Sequence, residues 1–571
     1  MSAWLCAAAA PGSALTPELR AALAARVAAP RGPAARLHGD GFAAAARTAP
    51  DALRPLLASR GPLLAVGDVR LDNRAEVASW GGAPAGAASD LDLVLAAYAA
   101  RGAGCLDGLL GDFAFAVRDA VRGTLMALRD PFGVRGLFLV QQGGTLVLSS
   151  RLEALACEGE LDEEWVADFL VGGAVHPGRT VWAGVRALPP GEALAWSGGR
   201  LRTRCFWRAA ELAPAEPADG REAAERFREL LEEAVRVRLE DGAPAWAELG
   251  GGPASAAVAR AAQSLAAGGR APALAGAVAA PGAAAEMARR CGLRPEPPAA
   301  GWAWRDDGAP ATAGDEPRRR SPFWAREREL VARVRAAGGR VLLSGRGPEL
   351  LPRPGGLVAT SAAAPRPTAL ARRDTLPFHP GWLVGGEAAG ARLPGWLDAE
   401  FVQRLGLAAR LAGAAPGREG LPGWLETAPL GEGIEVRYPL LYRPLVEYTL
   451  RLPASLRDAA DGAGRLLREA APGARPEEAR AARRADAAAL PLARGLRRER
   501  TRLDDLLEEP EIAWRGWVRG DALRDAAREA RRGEGRDPGL LLRSLALETW
   551  LAVRSGHWDA LARGPRALPA G

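Results

Sequence analysis

The chain has 571 residues, 48% hydrophobic and 25% charged, with a formal net charge of +7, the composition of a globular protein too long for one ordinary core. All 75 basic residues are Arg, which excludes Schiff-base catalysis, a lysine general base and a Walker-type phosphate lysine. The five cysteines (Cys6, Cys105, Cys157, Cys205, Cys291) and the four histidines are scattered without CxxC or other ligand spacing, so neither a disulfide framework nor a zinc site is implied.

The opening stretch from Met1 to Ser13 lacks the basic segment of a signal peptide, and no run approaches about 18 apolar residues. A cytoplasmic protein with no membrane contact is expected. Strand candidates then follow at Leu63 to Val69, Phe113 to Val117, Leu125 to Leu128, Leu137 to Val140, Thr145 to Leu148, Val181 to Ala187 and Ala193 to Trp196. Phe113, Phe115 and Val117 alternate with small residues, Arg118 to Gly123 reads as a polar turn, and Asp130-Pro131 with Gly133 reads as a loop. Repeated strands with few helices predict a two-sheet sandwich over residues 1–208.

Residues 209–221 are rich in Pro, Ala and acid and read as a linker, after which residues 222–571 form a second domain. Ala224, Phe227, Leu230, Leu231, Ala234 and Val237 recur at helical spacing within Glu222 to Leu239. A strand at Trp246 to Leu249, a glycine loop and a helix at Ala254 to Ala267 make the unit of a parallel α/β sheet. A second strand, Arg340 to Leu343, runs into Ser344-Gly345-Arg346-Gly347, and beyond about residue 395 the sequence is largely helical. The runs Arg318 to Arg320 and Arg497 to Arg502 read as solvated surface, so no nucleic-acid partner is expected.

Leu110 to Phe138 contains Gly-Asp-Phe-Ala-Phe followed by Arg-Asp-Pro-x-Gly, and in this it resembles the glutaminase-type domain of the asparagine synthetase B family. The resemblance implies an N-terminal Ntn-type α/β/β/α sandwich followed by an ATP-pyrophosphatase-type α/β domain with a helical C-terminal part. That family hydrolyses glutamine with a cysteine at position two, its α-amine acting as base. Here Ser2 stands there and the nearest thiol is Cys6. The segment Gly67 to Glu76 resembles the one whose Asn, here Asn73, lines the oxyanion hole. Ser89-Asp90 resembles the pair whose Asp, here Asp90, holds the glutamine amino group. A relic glutamine site without its nucleophile is the expectation.

In the second half, Leu249-Gly250-Gly251-Gly252-Pro253-Ala254-Ser255 resembles the Ser-Gly-Gly-x-Asp-Ser loop that cradles ATP's pyrophosphate. Gly250 replaces the first Ser and Ala254 the magnesium-holding Asp, each loss worth about 1–3 kcal/mol. Leu343 to Leu350 resembles Leu-Ser-Gly-x-Gly-x-Asp-Glu, with Ser344 and Gly345 at the adenine-side contacts. In it Arg346 stands where asparagine-forming members often carry Glu, Glu349 stands for the Asp, and Leu350 replaces the Glu that follows it. Gly433 to Tyr442 resembles Gly-x-Glu-x-Arg-x-Pro-Phe-Leu-Asp, with Tyr442 in place of the Asp, and Gly464-Arg465-Leu-Leu-Arg468 resembles Lys-x-Leu-Leu-Arg. The resemblance thus implies ATP and a weakly held Mg as cofactors, Leu249, Gly250, Gly251, Gly252, Ser255, Ser344 and Gly345 as nucleotide contacts, Arg346, Glu349 and Arg465 as catalytic groups, and Glu349 as the metal ligand.

Leu393 to Leu397, Phe401 to Arg410 and Leu545 to Trp550 are similar to actinobacterial members that close macrolactams in lasso peptides. Two functions are therefore expected in competition. One is ATP-dependent amide formation through an acyl-adenylate, acting on a small-molecule or peptide carboxylate, with a precursor peptide and a leader-processing protein as partners. The other is a non-catalytic relative that kept the fold as a binding partner or scaffold.

Overall fold

The computed structural model describes residues 3–10, 15–27, 34–39, 41–48, 53–84, 86, 88–155, 159–171, 178–212, 219–249, 253–279, 283–296, 316–317, 331–347, 393–409, 434–453, 456, 465–470, 493–534 and 538–556. The chain forms two units, Met1–Asp162 with Val175–Gly242 and Glu419–Pro453, and Glu163–Ala174 with Ala243–Arg418 and Ala454–Gly571.

In chain order the first unit contains β1 (Ala3–Ala9), α1 (Pro17–Val27), β2 (Ala35–Gly39), β3 (Phe42–Arg47), β4 (Leu57–Arg60) and β5 (Leu63–Leu71). There follow α2 (Arg74–Gly81), α3 (Asp90–Arg101), β6 (Gly111–Asp119), β7 (Thr124–Arg129), β8 (Phe138–Gln142) and β9 (Thr145–Ser149). After α4 (Glu163–Leu170), which belongs to the second unit, come β10 (Arg186–Ala187), β11 (Glu192–Ser197), β12 (Arg200–Cys205) and α5 (Gly220–Val237). Among the described residues these strands make two six-stranded sheets, ordered β10-β8-β9-β1-β3-β2 and β12-β11-β7-β6-β5-β4, and the pairings described here are antiparallel.

The alternation in β6 explains the layering. Phe113, Phe115 and Val117 pack with Leu93, Val94 and Val77 of α3 and α2. Ala114 and Ala116, on the opposite face, join Cys6, Ala8 and Ala44 of the other sheet. Large side chains fill the sheet–helix layer and small ones let the two sheets approach. With α1 packed on β3 and β1, the expected α/β/β/α sandwich is complete. Gly67 pairs directly with Phe115, whose Cβ would lie 2.1 Å from any Cβ at that position, so β5 tolerates only glycine there.

One strand expectation needed correction, and the strands before Leu63 were not foreseen. β1 was not foreseen, because alanine is a poor strand former outside a packed sheet, yet Ala3–Ala9 is buried throughout. Conversely, Val181 to Ala187 shrinks to the two-residue β10, because Gly184 turns the chain at a φ of 81° and Thr180 Oγ1 bonds the carbonyls of Trp182 and Val185 at 3.2 and 2.9 Å. Packing also groups α5 with the sandwich, on the far side of the segment 209–221 read as a linker.

In the second unit β13 (Ala245–Leu249), α6 (Pro253–Ala267), β14 (Gly276–Ala279), α7 (Ala283–Arg290), β15 (Pro295–Glu296) and β16 (Val341–Ser344) form a parallel sheet in which the strands lie in the order β15-β14-β13-β16. Pro253 opens α6, where its missing N–H costs nothing. The remaining described segments are mostly helical, as expected. Trp396 donates to Ser544 Oγ at 3.0 Å, Phe401 lies 6.5 Å from Trp517, and Trp165 stacks on Phe169 at 5.1 Å. No helix among the described residues is long and apolar enough to cross a membrane.

Candidate functional site

β13 leads through α6 to β14 and β15 on one side, whereas β16 lies on the other side of β13. The sheet order reverses between β13 and β16, and in open α/β sheets ligands bind outside the carboxyl ends of the strands at such a point. Leu249 ends β13, Ser344 ends β16, and Glu248 and Ser344 are register partners across the pair. Gly345 then passes directly over the first turn of α6. A Cβ on it would lie 2.5 Å from Ser255 Cα and N, and 2.9 Å from the Ala254 carbonyl carbon. Only a glycine lets these two backbones meet. Leu249, Ser255, Ser344, Gly345 and Arg346 therefore lie together at the strand ends.

One member of this cluster was missed. Glu248 is 5% exposed in a strand otherwise built of Ala, Trp and Leu. Its carboxylate accepts Ser344 Oγ at 2.5 Å and the Arg346 guanidinium at 3.1 Å. The Arg346 N–H turns back towards Ser344 Oγ at 3.4 Å. An acid in the middle of an apolar central strand, one residue before a glycine loop, was the signal available in the sequence.

Other expected contacts are only partly visible. Gly250, Gly251, Gly252 and Glu349 lie outside the described residues, as does the side chain of Arg465, although its helix Arg465–Ala470 packs against α6. The donor types at the strand ends, a serine hydroxyl, a guanidinium and the first turn of α6, are those that bind phosphates, with the Glu248 carboxylate engaging the first two. Among the described residues no three His, Cys, Asp or Glu side chains group to hold a metal ion.

The relic glutamine residues lie in the first unit and are engaged internally. Asn73 Nδ2 donates to Glu76 Oε2 at 2.9 Å and to the Gly108 carbonyl at 3.0 Å, while its Oδ1 accepts the Leu110 N–H at 3.0 Å. Asp90, 6% exposed, accepts the Leu71 N–H at 2.9 Å and pairs with the Arg74 guanidinium. The carboxylate that the resemblance assigns to a substrate amino group thus already has a cation. Cys6 sits fully buried in β1, where burial pushes its thiol well above the ordinary range, so it forms no thiolate nucleophile. Ser2 lies outside the described residues.

The diagnostic motifs of the first unit meet in a buried ion network. Arg70 bonds Asp72 at 2.7 Å and Asp112 at 2.8 Å; Arg238 reaches Asp72 at 3.2 Å and stacks 5.7 Å from the Tyr442 ring. Arg437 pairs with Glu435 and Asp241, and Glu435 also with Arg54. Burial opposes charge on Asp112, but Arg70, Arg238 and Arg135 outweigh it and hold the carboxyl below its usual range. Asp130 of the Arg-Asp-Pro-x-Gly motif accepts the N–H groups of Phe132, Val134 and Arg135 at 3.1, 2.9 and 3.0 Å. These residues build the unit rather than react.

Residues 74–207 match the glutamine amidotransferase domain family and residues 427–552 the asparagine synthase family. The loops Leu249 to Ser255 and Ser344 to Leu350 lie between the two matched stretches. Glutamine-hydrolyzing asparagine synthetase 3 of Bacillus subtilis is 28% identical over 175 residues, 30% of this chain and 28% of that protein. A putative glutamine-hydrolyzing asparagine synthetase of Mycobacterium bovis is 30% identical over 212 residues, 33% of this chain and 30% of the relative. Each match thus spans less than a third of the relative's own length. The solved glutamine phosphoribosylpyrophosphate amidotransferase of Bacillus subtilis, complexed with ADP and GMP, aligns over 55% of this chain and 70% of that one, at 14% identity and a TM-score of 0.22.

Proposed function

This chain belongs to the asparagine synthetase family, and from that premise we propose that it is an ATP-dependent amide ligase working through an acyl-adenylate without hydrolysing glutamine. A carboxylate oxygen of the substrate attacks the α-phosphorus of ATP, pyrophosphate leaves, and an amine then displaces AMP to form the amide. The substrate is a small-molecule or peptide carboxylate; in the peptide case the product is a macrolactam, and a precursor peptide and a leader-processing protein are the partners. The observation that carries this reading is the meeting of Leu249, Ser255, Ser344, Gly345 and Arg346 at the point where the sheet order reverses. In this reading Glu349 would hold magnesium, which would neutralise phosphate charge, and Arg465 would face the transferring phosphoryl group. The internal engagement of Asp90 by Arg74 and of Asn73 by Gly108 supports the lack of glutaminase activity.

A second reading, a non-catalytic scaffold, is favoured by Ala254 and Tyr442 standing where the family carries carboxylates. ATP–pyrophosphate exchange over a panel of carboxylates separates the two. The ligase shows exchange that falls about 10²-fold in Glu349→Ala and in Arg465→Ala, the loss expected for one preorganised charge contact. No exchange in the parent, with exchange only after Gly250→Ser and Ala254→Asp together, leaves the scaffold.

A further inference from the structure

Glu248 has no role in the amide-forming reading, yet it occupies the most telling position in the second unit. It is 5% exposed, Ser344 is fully buried and Arg346 is 9% exposed. Register fixes the contact: Glu248 and Ser344 are parallel-strand partners and so share a sheet face. The carboxylate spends one oxygen on the Ser344 hydroxyl at 2.5 Å and the other on Arg346 at 3.1 Å. A hydroxyl and a guanidinium converging on one anion at a strand-end crevice are what a phosphate group would meet there.

We propose that Glu248 is a built-in anion that occupies the Ser344–Arg346 pair, so that a pyrophosphate-bearing ligand binds there only by displacing the Glu248 carboxylate. This rests on reading the crevice as the nucleotide site, and deepens it: the resting protein holds its own substitute for the phosphate. Two consequences follow from charge. The carboxylate repels an incoming polyphosphate a few ångströms away, and it neutralises the cation that would attract one. Removing its charge while keeping its shape reverses both, a gain of at least tenfold and, for one charge pair about 4 Å apart at an effective dielectric of about 20, up to about 10³-fold.

The test uses the full chain with inorganic pyrophosphate as probe, titrated calorimetrically into the parent and Glu248→Gln. The variant is expected to bind pyrophosphate at least tenfold more tightly, and adding Arg346→Gln to it should abolish the gain. Should Glu248→Gln not fold, Glu248→Asp keeps the charge but is one methylene too short to hold both partners, and it should show a smaller gain of the same sign. Pyrophosphate binding unchanged or weakened in the folded variant overturns the proposal. ATP–pyrophosphate exchange, measured alongside, reads the ligase independently. A pyrophosphate gain without ATP–pyrophosphate exchange keeps the built-in anion and discards the ligase; exchange in the parent without a pyrophosphate gain does the reverse.

Discussion

Replacing Gly345 by Ala perturbs the strand-end crevice at its tightest point. The new Cβ would stand 2.5 Å from Ser255 Cα and N and 2.9 Å from the Ala254 carbonyl carbon, whereas carbon contacts settle near 3.5–4.0 Å, about 1 Å further out. All the obstructing atoms are backbone, so no rotamer change relieves them and the loop after β16 must part from α6. Overpacking of this kind costs about 1–3 kcal/mol, roughly 2–5 °C in Tm for a unit of about 300 residues. A displacement of about 1 Å at a reacting centre is also worth about 10²-fold in rate. Gly395→Ala is the control, since a Cβ there meets nothing within 4 Å. Thermal unfolding and ATP–pyrophosphate exchange are measured on both. If Gly345→Ala matches Gly395→Ala in both, the two loops do not meet as described.

Burial pushes the Glu548 carboxyl from 4.5 up to about 7, against the N–H groups of Glu511 and Ile512 that it accepts at 3.0 Å each. Because the folded-state value is the higher one, its contribution to stability is fully present below about pH 4.5 and is lost as pH rises through 7. Glu548→Gln should therefore flatten the fall in Tm between about pH 5 and pH 8, and an unchanged pH profile would show that Glu548 stays ionised in the folded protein. Arg238→Met should cost about 1.5–3 kcal/mol, the worth of a hydrogen bond to a charged group, since the buried Asp72 loses it but keeps Arg70. Chemical denaturation reads this loss, and adding Asp72→Asn should recover part of it. Incubation with glutamine should release no glutamate above background in the parent, in Arg74→Ala or in Cys6→Ala. Turnover that vanishes in Cys6→Ala would contradict the buried, protonated thiol.

Much of the fold was legible because its periodicities are strong. The alternation of Phe113, Phe115 and Val117 marks a strand with one large-residue face, and the helical stripe within Glu222 to Leu239 emerges as α5. The alanine-rich β1 and β3 were not legible, because their small residues are chosen by the opposite sheet and not by local propensity. Of the site, the loops around Ser255 and Ser344 could be read from resemblance. Glu248 was signalled only as an acid in an apolar strand; its partners come from parallel register with Ser344, separated from it by nearly a hundred residues. Asp90 was read as part of a relic glutamine site, but its engagement by Arg74 and by the Leu71 N–H follows from the start of α3 meeting α2 and the end of β5, which no linear pattern states.

The central claim is acyl-adenylate formation, and oxygen transfer tests it most directly. A carboxylate substrate that supports exchange is labelled with ¹⁸O in both oxygens and incubated with ATP and its amine until the amide forms. The account predicts one ¹⁸O in each AMP released and none in inorganic phosphate, because the carboxylate oxygen that attacks the α-phosphorus leaves with AMP. Label in phosphate with ADP as co-product, or amide formed with unlabelled AMP, would contradict it.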